Sequence, residues 1–243
     1  MDDPPANAKR RFMLKNTTEL YGTKLAGLDG EIGHVKDFYF DDLIWVIRYL
    51  VVDTGSWLTG RLVLLSPHAL GKLDEFEKTM HVKLHRKQIE NSPSIELHKP
   101  VSRQYEIEYY KYYGWPAYWR GGAMWGFGGY PVIMAPSLEE REASLQTHQR
   151  DDKHLRSTRA VTDYTIHATD GEIGVVSGFE VDGKSWAIRQ LEVETGHWYS
   201  GKEILIPPTE VERISYKDSK VFVKLTKASI QNTADHKVVN AHA

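Results

Sequence analysis

Few residues in this chain have the type and spacing for chemistry. His81 and His85 stand four apart, the spacing at which a helix presents two imidazoles to one zinc ion. The run HVKLHRKQIEN (81–91) reads instead as a strand entering a turn, where i and i+4 do not meet as they do on a helix. No metal site is expected. Asp29 and Glu31 recur as Asp170 and Glu172, carboxylates of the kind used in acid–base catalysis. Asp-Gly is also turn chemistry, and a repeated turn accounts for both copies. Ser56 lacks a G-x-S-x-G frame and stands opposite His197. Thr54 and Thr195 are shared, and read as turn-capping hydroxyls. Gly126 and Gly128 have Pro131 where a third glycine would complete a phosphate loop, and no lysine follows. With no cysteine in the chain, thiolate nucleophiles, disulfides and cysteine metal sites are excluded. Neither an enzymatic activity nor a cofactor is expected.

One charged pair needs a structural account. Arg48 and Arg189 interrupt apolar strand-like runs, where an unpaired guanidinium is costly to bury. A structural ion pair is expected, with Glu31 and Glu172 or with Asp53 and Glu194 as partners.

These residues recur because much of the chain recurs. Setting residue n against n+141 aligns 29–67 with 170–208 without a gap, and 19 of 39 positions are identical. The register continues to 81–91 against 222–232. The chain therefore reads as an internal duplication, with a period too long for a solenoid. Each copy reads as short strands. Leu43–Val52 and Lys184–Val193 are rich in β-branched and aromatic residues and end at Thr-Gly. A tight hairpin turn is expected at Asp182-Gly183, with Asp41-Asp42 as its weaker counterpart. Many short strands over about 80 residues predict a mainly β fold with a small barrel or sandwich per copy.

The elements D-G-E-I-G-x-V, W-x-I-R-x-L-x-V-x-T-G-x-W and G-x-x-x-L-x-x-P occur in this order in both copies. Together they resemble the PRC-barrel domain, shared by the photosynthetic reaction-centre H subunit and the C-terminal part of a ribosome-maturation factor. The resemblance covers about two thirds of the chain and implies a tandem PRC-barrel protein of the kind widespread in bacteria. It implies domains at 12–98 and 153–235, joined by an aromatic connector and charged spacer at 99–152. A role beside a membrane complex or in RNA-related assembly would follow from the relatives alone. Neither the membrane helix of the first nor the RNA-associated domain of the second is legible here.

Eleven of the 27 aromatic residues fall between Tyr105 and Tyr130, whereas a plain linker is polar and aromatic-poor. Tyr112, Trp115, Trp119 and Trp125 are candidate interface anchors; packing between the two copies is the blander alternative. The charged stretch 137–157 reads as a solvated helix or spacer. A difference between the copies points to a covered face. Trp45, Ile47, Tyr49 and Val51 alternate along one side of the first long strand, against Trp186, Ile188, Gln190 and Glu192 in the second. Tyr49 and Val51 thus mark a face covered by the connector, a second subunit or a partner, with the second copy's face left wet. The loop tryptophans Trp57 and Trp198 are either further anchors or caps on the core.

Composition sets the outer bounds. Hydrophobic residues make up 41% and charged residues 26% of 243, ordinary for a globular protein. Net charge is -2, from 31 basic and 33 acidic residues, which argues against nucleic acid as partner. No run approaches the roughly 18–20 apolar residues of a membrane span, and no secretory h-region opens the sequence. A cytoplasmic adaptor or assembly module, binding a protein or macromolecular complex, is the leading expectation. The rivals are an enzyme or small-ligand binder with a cleft between the copies, and a self-associating structural protein.

Overall fold

The computed structural model describes residues 14–93, 101, 103–119, 123–126, 128–131, 155–199 and 201–232. Fourteen strands form two seven-stranded sheets. The first half contributes β1 (Leu14–Asn16), β2 (Lys24–Gly27), β3 (Gly30–Asp41), β4 (Val46–Asp53), β5 (Leu62–Leu65), β6 (Leu70–Asp74) and β7 (Thr79–Val82). The second contributes β8 (Leu155–Ser157), β9 (Thr165–Ala168), β10 (Gly171–Asp182), β11 (Ile188–Thr195), β12 (Glu203–Ile206), β13 (Val211–Ser215) and β14 (Lys220–Val223). The orders are β5-β4-β3-β2-β7-β6 and β12-β11-β10-β9-β14-β13, so the fold is mainly β with the same path traced twice. Both orders are open, and no described strand joins the two ends of either. Within each path only the β2–β7 and β9–β14 pairings are parallel.

The seventh strand of each sheet comes from the other half. β1 pairs with β10, setting Leu14 opposite Asp182, and β8 pairs with β3, setting Leu155 opposite Asp41. These pairings are equivalent at a shift of 141 residues. A further bridge joins Val46 to Ala187, with Ile47 N–H donating to Trp186 O and Ile188 N–H to Trp45 O, both at 2.8 Å. Residue i of one half meets j of the other, and the counterpart of j meets that of i. That is the pattern of an isologous two-fold interface, here within one chain.

The helices α1 (Thr17–Leu20) and α4 (Thr158–Val161) follow the exchanged strands, capped by the Asn16 and Ser157 side chains. In the first half Ser157 Oγ and Thr158 Oγ1 donate to the Asp37 carboxylate, which also accepts from Arg159 N–H. The second half has Gly178 where Asp37 stands, and Glu192 where Val51 stands. Glu192 reaches over Gly178 from β11 and accepts from Asn16 Nδ2. The anchoring carboxylate has moved to the neighbouring strand. Glu192 is thus buried, which corrects the expectation of a wet face at this position.

Gly33 and Gly174 are required by close approach. A Cβ there would lie 2.0 Å from Asp53 O and 2.1 Å from Glu194 O, at φ of 147° and 153°. The turn expected at Asp182-Gly183 is longer than a two-residue hairpin. It runs through 183–186, and positive φ falls on Trp186 at 60°, as on Trp45 at 56°, not on Gly183. Asp41 and Asp182 open these turns by accepting from the N–H groups of Leu43 and Ile44, and of Lys184 and Ser185, in Asx fashion.

Two further helices are α2 (Arg86–Glu90) and α3 (Arg103–Tyr113). On α3, Glu106, Tyr109 and Tyr110 are buried, one stripe of a 3.6-residue period. Gly114 at φ 70° and Pro116 end the helix. No described helix is long and apolar enough to cross a membrane.

Candidate functional site: two equivalent grooves

The connector covers one half only. Tyr49 is wholly buried on β4, edge-on to Tyr109 and Tyr110, and its hydroxyl donates to Glu106 Oε1 at 2.7 Å. Tyr118 donates to the same oxygen at 2.6 Å. Burial, and after it the Glu106 carboxylate, hold the Tyr49 hydroxyl well above its ordinary pKa, so it stays a neutral donor. Tyr109 donates to Leu64 O at 2.8 Å and accepts from Ser66 N–H. Of the three occupants open for the Tyr49 face, the connector is the one found there.

Beyond the helix the connector fills a groove between the halves. Trp125 is buried, and its indole N–H donates to Ser185 O at 2.7 Å. Arg48 lies over Tyr118, 3.6 Å from the ring centroid, and over Trp125 at 4.8 Å. It donates to Met124 O at 2.8 Å and pairs with Asp41 at 3.8 Å. His68 stands edge-on to Trp125 at 5.1 Å and stacks on Trp115 at 5.6 Å. Burial, then the Arg48 charge, lowers the His68 pKa to about 4, so its ring is neutral at pH 7. Cation–π contact suits a guanidinium that has given up its water.

The counterpart of this groove holds no described connector ring. Shifting Ser185, Arg48 and His68 by 141 gives Ile44, Arg189 and Thr209, and all three line an open groove of about 880 Å³. Its lining also includes Trp45, Ala187 and Ile188 from around the inter-half bridge, and Pro207, Pro208 and Ile214. Leu43 and Ile44 stand at its edge, 66% and 47% exposed. Met124 lines it too, so adjacent connector residues serve the two grooves. Arg156 pairs with Asp42 at 3.2 Å and lies over the Tyr216 ring at 3.8 Å, while Tyr216 donates to Asp42. Burial and the Asp42 carboxylate raise the Tyr216 pKa. Arg189 pairs with Asp182 at 3.5 Å, and its side chain is 49% exposed against 1% for Arg48.

The sequence-derived candidates fall in several places. Val51, Trp115 and Trp125 are buried within the chain, and Trp119 packs partly buried against Tyr110. Tyr112 remains exposed and donates to Gln88 O at 2.8 Å. Trp57 and Trp198 each donate to a strand carbonyl, Ile32 O and Ile173 O, with Arg86 and Lys227 over their rings. The expected arginine pairs are corrected: Arg48 and Arg189 pair with Asp41 and Asp182. Glu31 instead lies 3.5 Å from Lys24, and Glu172 stands on β10 opposite His167 of β9. His81 is on β7, and His85 caps α2 beside Asp29 at 3.5 Å. The charged stretch 137–157 lies outside the described residues up to 154. Sequence reading missed Leu43, Ile44, Thr209 and the prolines as one surface. Leu43 against Lys184 reads in the sequence as part of the covered face marked by Tyr49; this is corrected, since Leu43 lies in a turn and is 66% exposed.

The chain matches no protein-family model and no curated protein. Its function must be read from its own residues.

Proposed function

We propose that this chain is a non-catalytic adaptor, made of two PRC-like small β-barrels derived by internal duplication, that binds another protein or complex at the open groove. One observation carries the reading: equivalent grooves lie on the two sides, one closed by the chain's own aromatics and one presenting Leu43 and Ile44 to solvent. Exposed apolar side chains around a formed groove are characteristic of protein-binding surfaces. Of the charged groups lining the open groove, Arg156 pairs with Asp42, Arg189 pairs with Asp182, and Arg213 lies over the Phe222 ring.

The test is affinity capture from the native cell with wild type beside a Leu43→Glu/Ile44→Glu variant. Thermal melts of both establish that the variant is folded. A specific partner captured by wild type and lost by the folded variant is the expected result. Recovery of the same partner by both would move the adaptor surface elsewhere. A second reading, a small-ligand cleft, is favoured by the groove volume of about 880 Å³, within the usual range for such sites. Metabolite-induced shifts in melting temperature that vanish with Arg189→Ala would favour it.

A further inference from the structure

The filled groove shows what the open one is shaped to hold. Trp125 is gripped by three groups: the Ser185 carbonyl that accepts its N–H, the Arg48 guanidinium over its ring, and His68 against its edge. In the open groove the corresponding positions are Ile44, Arg189 and Thr209. Ile44 supplies the same backbone carbonyl whatever its side chain. Arg189 supplies the same cation and is half-exposed rather than covered. Thr209 is smaller than His68, which widens the groove at that edge. Pro208 repeats Pro67, and Trp45 repeats Trp186 with the same left-handed backbone.

We propose that the open groove binds a tryptophan-bearing segment of another protein, its indole seated between the Ile44 carbonyl and the Arg189 guanidinium as Trp125 is seated in the other half. This rests on the adaptor reading and supplies the chemistry of its partner. Complementarity of charge supports it, because the negative face of an indole meets an arginine whose equivalent already stacks on one. So does continuity, because Trp45, Ala187 and Ile188 of the inter-half contact line the groove. The chain cannot supply the indole itself. Its seven tryptophans are at 45, 57, 115, 119, 125, 186 and 198, all among the described residues, and none seats its indole N–H on Ile44. In a second copy Trp125 is likewise committed to its own groove, and Trp57 and Trp198 have their N–H groups engaged by Ile32 O and Ile173 O.

The experiment titrates a fluorescently labelled synthetic peptide with the sequence of residues 115–130 into the full-length protein, following anisotropy. The probe carries the one aromatic sequence known to fit the equivalent groove. A second peptide carries Trp125→Ala. Saturable one-to-one binding of the first peptide and at least tenfold weaker binding of the second are expected. Arg189→Ala should weaken the first peptide about tenfold, and Thr209→Trp, which places an indole in the groove, should abolish binding. Thermal melts control for folding of both variants. Absence of binding at about 1 mM peptide, equal binding of both peptides, or indifference to both variants would overturn the proposal. The two readings fail separately. A partner captured through Leu43 and Ile44 but indifferent to Arg189→Ala and Thr209→Trp would leave the adaptor standing and remove the indole.

Discussion

Arg48 and Arg189 occupy the same position in two nearly superimposable strand registers, yet one is buried and the other half in water. Each is paired with the aspartate seven residues before it. What separates them is the cover. Connector rings lie over Arg48, and no described ring lies over Arg189. An isologous interface would ordinarily offer two identical grooves. The described connector rings close one of them, and the second keeps the equivalent arginine and backbone with no described ring over it. Asymmetry imposed on a repeated framework is therefore the origin of the candidate site.

The framework itself should be symmetric in its failures. Gly33→Ala and Gly174→Ala would each drive a methyl into a carbonyl at about 2 Å, and neither backbone conformation suits an L side chain. Losses of at least about 4 kcal/mol are expected for both, read as loss of soluble protein or collapse of the melting temperature. One tolerated and one lethal substitution would break the equivalence of the halves. Arg48→Ala against Arg189→Ala tests the opposite point. Removing Arg48 strips a buried aspartate and two ring faces of their cation, at a cost of about 3 kcal/mol. Removing the half-exposed Arg189 should cost under about 1 kcal/mol. Equal losses in chemical denaturation would mean that the connector does not distinguish the two grooves.

Much of the framework was legible because repetition amplifies weak signals. Asp-Gly turns, the Thr-Gly ends and the paired glycines are ambiguous singly but agree in two copies. The exchange of β1 and β8 was not legible, because Leu14-Lys-Asn and Leu155-Arg-Ser have the same pattern whichever β-strand receives them. Tyr49 correctly marked a covered face, since an apolar ring where the other copy has Gln190 needs a neighbour. Val51 misled. Its exchange for Glu192 is compensated by Asp37 for Gly178, a pairing across strands that one strand's periodicity does not reveal. The open groove was invisible for a similar reason, its lining being drawn from 42–45, 187–189 and 207–216 together with Met124 and Arg156.

The halves also differ in how they answer to pH. Burial, then Glu203, raises the Glu192 carboxyl to about 7. The folded state then holds a proton that the unfolded chain releases, so this stabilisation is complete below the ordinary glutamate pKa of about 4.3. It is lost as pH rises through about 7. His68 behaves oppositely, its pKa lowered to about 4. Its contribution is complete above the ordinary histidine value of about 6.5 and is lost as pH falls through about 4. Between these limits the two slopes oppose each other. Glu192→Gln should stabilise the protein at pH 8 relative to pH 4, on the order of 2 kcal/mol, and unmask the His68 slope. His68→Gln should unmask the reverse slope. Denaturation series for both variants that run parallel to wild type would remove the titration difference between the halves.

The smallest expected effect isolates the exchanged carboxylate. Gly178→Asp alone sets a second carboxylate against Glu192, whose Oε2 would lie 2.7 Å from the new Cβ, and should destabilise. Glu192→Val alone removes the acceptor of Asn16 Nδ2 and fills its place with the residue the first half uses. Combined, they rebuild in the second half the arrangement by which Asp37 holds Ser157, Thr158 and Arg159. The double variant should therefore be more stable than the two single effects sum to, with a coupling of about 1 kcal/mol. Additivity would mean that Asp37 and Glu192 are not interchangeable anchors. The two halves would then share a strand path without sharing the logic that fastens the exchanged strands.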